Sequence, residues 1–166
     1  MTPQDLVEIE QIKRLKYRYL RCLDQKLWDE IAECFTPDAI AAYSGGGYTF
    51  EGRDAIVDFL RRSMGAETFH SSHKMHHPEI DLTGPDSAHG VWALDDVVVM
   101  TDFELTVRGC SFYDDEYEKR DGAWRIVERR QVTDMVRTLS MDDEIALGET
   151  IARRDRTDPS YELLGE

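Results

Sequence analysis

The run Val91-Trp92-Ala93-Leu94-Asp95-Asp96-Val97-Val98-Val99-Met100 constrains the fold most. With the residues before it, it predicts one long strand from Ala88 to Met100. Successive side chains of a strand point to opposite faces, so this strand is apolar on both. Asp96 shares a face with Trp92, Leu94, Val98 and Met100, and Asp95 shares the other with Val91, Ala93, Val97 and Val99. At least one carboxylate therefore points into apolar surroundings. Burying it unpaired costs on the order of several kcal/mol or more, so it must find a donor or stay protonated. Either a bulge turns both acids to solvent, or one of them is a pocket acid.

The other segments fall into place around that strand. Thr2-Pro3-Gln4-Asp5 offers an N-cap hydroxyl, a proline at the first helical position and an acid in the first turn. Ile9, Ile12, Leu15, Tyr19 and Cys22 then recur at three- and four-residue spacing, the stripe of an amphipathic helix, with Lys13, Arg14, Arg18 and Arg21 on the other side. A second helix is expected over Lys26–Phe35, stopped by Thr36-Pro37-Asp38. Ile40–Ser44, Gly45-Gly46-Gly47 and Tyr48–Phe50 read as a hairpin. Arg53–Met64 reads as a third helix with Gly65 as a left-handed stop. Pro78–Leu82 is a short strand. Ser111–Arg120 joins Ala123–Val136 through Asp121-Gly122, the strongest short hairpin signal. Helices first and meandering strands later give an α+β plan with helices on one face of a curved sheet.

Residues after about Thr138 carry no clear period and hold eight acids against three arginines, so 138–166 is expected to be an acidic tail or partner-wrapping arm beyond a domain at 1–137. Acids outnumber bases 34 to 20, a formal charge of −14, which argues against nucleic acid and against an anionic membrane surface as partner. The N-terminus lacks the basic and apolar regions of a secretory signal. Cys22, Cys34 and Cys110 are odd in number and widely spaced, as expected of reduced thiols in a cytoplasmic protein. No Ser-centred elbow, phosphate-binding glycine loop or CxxC motif is present.

Several residues carry potential chemistry. Tyr19 lies on the apolar stripe, where it is either a satisfied core tyrosine or a hydroxyl at the rim of a pocket. Asp24 lies five residues on, about 140° around a continuous helix. It either caps the second helix or turns inward. Four of the five histidines fall in His70-Ser71-Ser72-His73-Lys74-Met75-His76-His77. On a strand His70, His73 and His76 alternate faces, and no Cys or acid stands at zinc-ligand spacing, so no metal is expected. The alternatives are a solvated loop or one inward histidine shuttling protons, its tautomer fixed by a carboxylate such as Asp24.

The runs IKRLKYRYLRCLDQKLWDEIAECFTPDA, SSHKMHHPEI, GVWALDD and FYDDEYEKRDGAWRI resemble the SnoaL-like branch of the nuclear-transport-factor-2-like superfamily, and within it the bacterial bile acid 7α-dehydratases. The likeness runs from about Ile12 to Asp134. It implies a cone-shaped α+β barrel, a curved mixed sheet wrapped on a long N-terminal helix. It implies a homo-oligomer, with a trimer favoured over a dimer, and neither metal nor organic cofactor. The family's catalytic tyrosine, aspartate, histidine and second aspartate fall on Tyr19, Asp24, His73 and Asp96. A late arginine of the dehydratases is matched by Thr133. The implied activity is loss of water from a hydroxylated hydrophobic ketone such as a 3-oxo-4-ene steroid or bile acid, with His73 as general base, Asp24 orienting it and Tyr19 donating a hydrogen bond. An isomerase or cyclase on the same site, or a non-catalytic ligand-binding domain, are the alternatives. Trp28, Tyr43, Phe59, Trp92, Leu94, Val98 and Phe112 are expected to form the apolar wall around a small hydrophobic substrate.

Overall fold

The computed structural model describes residues 1–140, with side chains through Gln131. Helix α1 spans Pro3–Asp24 and opens with a complete capping box. The Asp5 amide donates to the Thr2 hydroxyl (3.2 Å), and the Thr2 amide donates to the Asp5 carboxylate (2.6 Å). The stripe is buried as expected at Ile12, Leu15, Tyr19 and Cys22, and Lys16 is buried with it. A five-residue helix α2 (Trp28–Ala32) and helix α3 (Arg53–Met64) complete the helical layer.

Six strands form one curved, open sheet: β1 (Phe35–Tyr43), β2 (Tyr48–Glu51), β3 (Phe69–Leu82), β4 (Ser87–Met100), β5 (Leu105–Arg120) and β6 (Ala123–Ser140), in the order β2-β1-β6-β5-β4-β3. All neighbours are antiparallel except β1 and β6, which run parallel. Helix α1 lies against β3 and β6, and α3 lies against β1. The core between helices and sheet includes Ile12, Leu23, Ile56, Leu60, Trp92, Tyr117 and Ile126. This is the expected α+β arrangement, a mixed sheet wrapped on a long first helix.

Four expectations are corrected. The second helix is shorter than Lys26–Phe35, because Phe35 already pairs in parallel with Ile126 of β6, so Thr36-Pro37-Asp38 lies in a strand. The short strand expected at Pro78–Leu82 is only the second half of β3, whose first half is the histidine-rich segment. Its pairing with β4 runs unbroken from Phe69 to His76, then shifts at a bulge where His77 adopts a positive φ of 42°. Gly65 is right-handed (φ −80°); a Cβ there would collide with the Arg61 carbonyl, so close approach requires the glycine. The boundary proposed between 137 and 138 falls inside β6, which continues to Ser140. The remainder of the proposed tail, 141–166, lies outside the described residues.

The hairpin at Asp121-Gly122 forms as read, with φ of 53° and 76° at the two turn residues. No helix among the described residues is long and apolar enough to cross a membrane.

Candidate active site

Strand β4 settles which acid of its central pair faces inward. The pairing of β4 with β3 and β5 passes Asp95 and Asp96 without a bulge. Asp95 therefore points outward with its side chain 69% exposed, and Asp96 turns toward the core side. Opposite Asp96 stand His73 on β3 and Gly109 on β5. A Cβ at position 109 would collide with the Asp96 carboxylate and lie 3.3 Å from its Cγ. The glycine makes the room that the acid occupies.

His73 follows from the same alternation. His70 and His76 take the outer face of β3 while His73 takes the inner one, its side chain 7% exposed. Asp24 ends α1, where the chain turns away through Gln25 and Lys26, and its carboxylate reaches across to β3. Three donors converge on it. The His73 Nδ1 lies 2.6 Å from Oδ1, the Ser71 hydroxyl donates to Oδ1 (2.8 Å), and the His73 amide donates to Oδ2 (3.0 Å). Burial pushes the Asp24 carboxyl up, but the His73 and Ser71 contacts outweigh it and hold it below the ordinary carboxylate range. A ring nitrogen facing a carboxylate carries the proton, so Nδ1 is the N–H and Nε2 is left as the basic nitrogen.

These groups border a cavity of about 210 Å³ walled by Tyr19, Leu23, Tyr43, Phe59, Leu60, Met64, Phe69, His73, Asp96, Val98, Tyr113 and Gln131, with Ser44 at its edge. Tyr19 is fully buried and meets Phe35 edge-on at 5.6 Å. The Tyr19 and Tyr43 hydroxyls face one another across this space. Neither is engaged in a hydrogen bond of proper geometry among the described residues. A buried hydroxyl left unpaired costs about 1–3 kcal/mol, so both hydroxyls are available to donate to an oxygen placed in the cavity. Asp96 borders the same cavity. Burial raises its carboxyl, His73 opposes that and the neighbouring Asp95 charge reinforces it.

The structure thus brings Tyr19, Asp24, His73 and Asp96 to one place, with Tyr43, Phe59 and Val98 in the wall. Four wall expectations fail. Phe112 is 44% exposed, because it pairs with Ala93 on the outer face of the sheet. Trp28 borders a separate depression with Lys26, Asp29 and Arg61. Trp92 and Leu94 are buried in the core beyond the cavity, the Trp92 indole donating to the Tyr117 hydroxyl at 2.9 Å. Sequence reading missed Tyr113 and Gln131. They are a cross-strand pair of β5 and β6 that only the register reveals. Thr133 pairs with Ser111 through the backbone, and its side chain lies outside the described residues.

The fold has counterparts among known proteins. An uncharacterized protein of Mycobacterium tuberculosis is 25% identical over 120 residues, 72% of this chain and 80% of its own length. The crystal structure of a putative scytalone dehydratase from Novosphingobium aromaticivorans superposes with a TM-score of 0.77 at 27% identity, over 82% of this chain and 91% of that one. A hexachlorocyclohexane dehydrochlorinase shares the fold, with a TM-score of 0.75 at 18% identity over 82% of this chain and 91% of its own. The sequence profile of the SnoaL-like domain matches residues 4–130, and with that match across most of its length the chain belongs to the SnoaL-like domain family.

Proposed function

We propose that the protein is a lyase that removes water from a β- or vinylogously hydroxylated hydrophobic ketone, using side chains of this cavity alone. The observation that carries this reading is the Asp24–His73 pair at the edge of an apolar cavity that also holds two phenols with no hydrogen bond of proper geometry among the described residues. Likeness to a putative dehydratase at 27% identity supports it.

His73 Nε2 removes the acidic C–H proton conjugated with the carbonyl. Asp24 holds the ring and stabilises the imidazolium, and such a positioned base contributes about 10²–10⁴-fold. Electrons move to the carbonyl oxygen, where the Tyr19 and Tyr43 hydroxyls donate to the developing enolate. One such donor in a dry site is worth roughly 3–4 kcal/mol of barrier. The enolate then expels hydroxide as the C–O bond breaks, and protonated Asp96 supplies the proton that makes it water. The imidazolium proton passes back to the Asp96 carboxylate, so the products are an unsaturated ketone and water.

The cavity bordered by the described residues measures about 210 Å³, below the roughly 300–1,000 Å³ of sites for drug-sized ligands. A compact one- or two-ring ketone suits it better than the four fused rings of a steroid or bile acid. The test is incubation with one-ring, two-ring and steroidal hydroxy-ketones, read by mass spectrometry. Loss of water from the compact members, abolished in His73→Ala, is expected. Product of unchanged mass identifies an isomerase or cyclase instead, and bound but unchanged ligand identifies a binding domain.

A further inference from the structure

A cluster of buried charge among the described residues takes no direct part in that chemistry. Lys16, Asp115 and Arg129 are all fully buried, behind the cavity and not in its wall. Arg129 donates from Nε to Asp115 Oδ1 (3.1 Å) and from Nη2 to Oδ2 (3.3 Å). The Lys16 ammonium and the Tyr117 hydroxyl (2.9 Å) donate to that same Oδ2. Two cations thus share one carboxylate. Buried ionic groups of this kind contribute little net stability, since well-packed apolar replacements are often neutral or better.

The placement of the arginine gives it a use. Its guanidinium carbon lies 3.8 Å from the centre of the Tyr19 ring and 4.7 Å from that of Tyr113, the two rings that separate it from the cavity. Its Nη1 is buried without a hydrogen-bond partner among the described residues, so the cation is delivered to ring faces. Cations over aromatic faces interact most strongly where water is excluded.

We propose that Arg129, clamped by Asp115 and Lys16, is a positioning residue that acts through the Tyr19 ring, its charge strengthening the Tyr19 hydroxyl as donor to the oxyanion formed in the cavity. This rests on the reading of Tyr19 as that donor. Among the described residues, the titratable groups facing Tyr19 are Lys16 on α1, Cys34 before β1, Tyr43 on β1, Tyr113 and Asp115 on β5 and Arg129 on β6, with His73 on β3 and Asp96 on β4 across the cavity. Burial raises the Tyr19 phenol, and Arg129 is the largest influence opposing it. Lys16 lies 5.8 Å from the same ring. Burial pulls its ammonium down to about 7, so Arg129 is the cation that persists above neutral pH.

The test places 3,5-difluorotyrosine at position 19 of the full chain and titrates it by absorbance and fluorine resonance, with no substrate present. It compares the parent with Arg129→Met, which leaves Lys16 and Asp115 as a charge-balanced pair. The titration is expected to move up by about one unit or more, a roughly tenfold weaker acid. In the enzyme with natural tyrosine, Arg129→Met is expected to lower kcat about tenfold with KM little changed. Against a Tyr19→Phe background it should have almost no further effect, the non-additivity of residues acting as a unit. An unmoved titration in a folded variant overturns the proposal, as does an undiminished kcat. Arg129→Gln, which keeps a donor for Asp115, is read the same way should the methionine variant not fold. A shifted titration in a protein that dehydrates nothing upholds the tuning of Tyr19 and overturns the assigned reaction instead.

Discussion

Replacing Asp24 by asparagine changes one oxygen to an amide nitrogen, and the geometry dictates how the amide must sit. Oδ1 now accepts from Ser71 and His73 Nδ1, and Oδ2 accepts from the His73 backbone amide. If the amide nitrogen took the Oδ2 place it would face an N–H, donor against donor. It must take the Oδ1 place, donating to Nδ1, while the Ser71 hydroxyl turns to accept. Every bond is then satisfied, but the imidazole is locked with its proton on Nε2, the nitrogen that should be the base. Losing the charge-assisted bond to the imidazolium costs about 1.5–3 kcal/mol, and undoing the wrong tautomer costs about 1–3 kcal/mol more. Together they predict a fall in kcat of about 10²–10⁴-fold; the corresponding substitution in a serine protease triad costs about 10⁴. Because all partners remain paired, folding stability should change by only about 1 kcal/mol. Nitrogen-15 resonances of the His73 ring read the tautomer without substrate, and water loss by mass spectrometry reads turnover. A ring that keeps its proton on Nδ1 together with undiminished turnover would refute the reasoning.

Three further outcomes follow from the same contacts. Gly109→Ala puts a methyl where the Asp96 carboxylate lies, so Asp96 must rotate away; kcat should fall about 10²-fold or more while circular dichroism stays native, and an unshifted Asp96 in a variant crystal structure would contradict this. Tyr19→Phe removes one of two donors and should cost roughly 10²–10³ in kcat, with ligand affinity measured by calorimetry little changed. Glu8 accepts two bonds from Lys119 (2.9 and 2.8 Å) and one from the Trp124 indole (2.7 Å), which with Gln4 hold its carboxyl down at about 2, below its usual 4.5. A depressed carboxyl stabilises the fold above its unfolded value, and that contribution is lost as pH falls from about 4.5 toward 2. Thermal melts of Glu8→Gln should therefore lie below the parent at pH 6 and converge with it near pH 2.

Helix α1 was legible from its N-cap, its proline and its apolar stripe, because these are local features that need no partner; the reciprocal Thr2–Asp5 box was added by the structure. The Asp121-Gly122 turn was legible for the same reason. The β4 sequence narrowed the pocket acid to one of two neighbours, and unbroken pairing on both sides then selected Asp96. His73 was separated from His70 and His76 by alternation once the segment was a strand. The sequence did not show it to be one, because polar His, Ser and Lys give no apolar period and β4 is what recruits the segment as an edge strand.

Register lay beyond sequence reading. Counting back from the hairpin, where Arg120 pairs with Ala123, Asp115 should oppose Glu128. The bulge between Glu116 and Tyr117 shifts the pairing by one, so Asp115 meets Arg129 and Tyr113 meets Gln131. A one-residue shift exchanges the faces of a strand, and Arg129 is buried where Arg130 would have been. By itself the sequence determined the types and approximate limits of most elements and the amphipathic first helix; its residues left the acid between Asp95 and Asp96 and the histidine among several, and only the family resemblance pointed to Tyr19, Asp24, His73 and Asp96. Tertiary structure alone decided the convergence of Asp24 on His73, the space above Gly109 and the burial of Lys16, Asp115 and Arg129. Those depend on strand register and on how α1 lies across the sheet, energies shared among residues far apart in the chain, which no local pattern encodes.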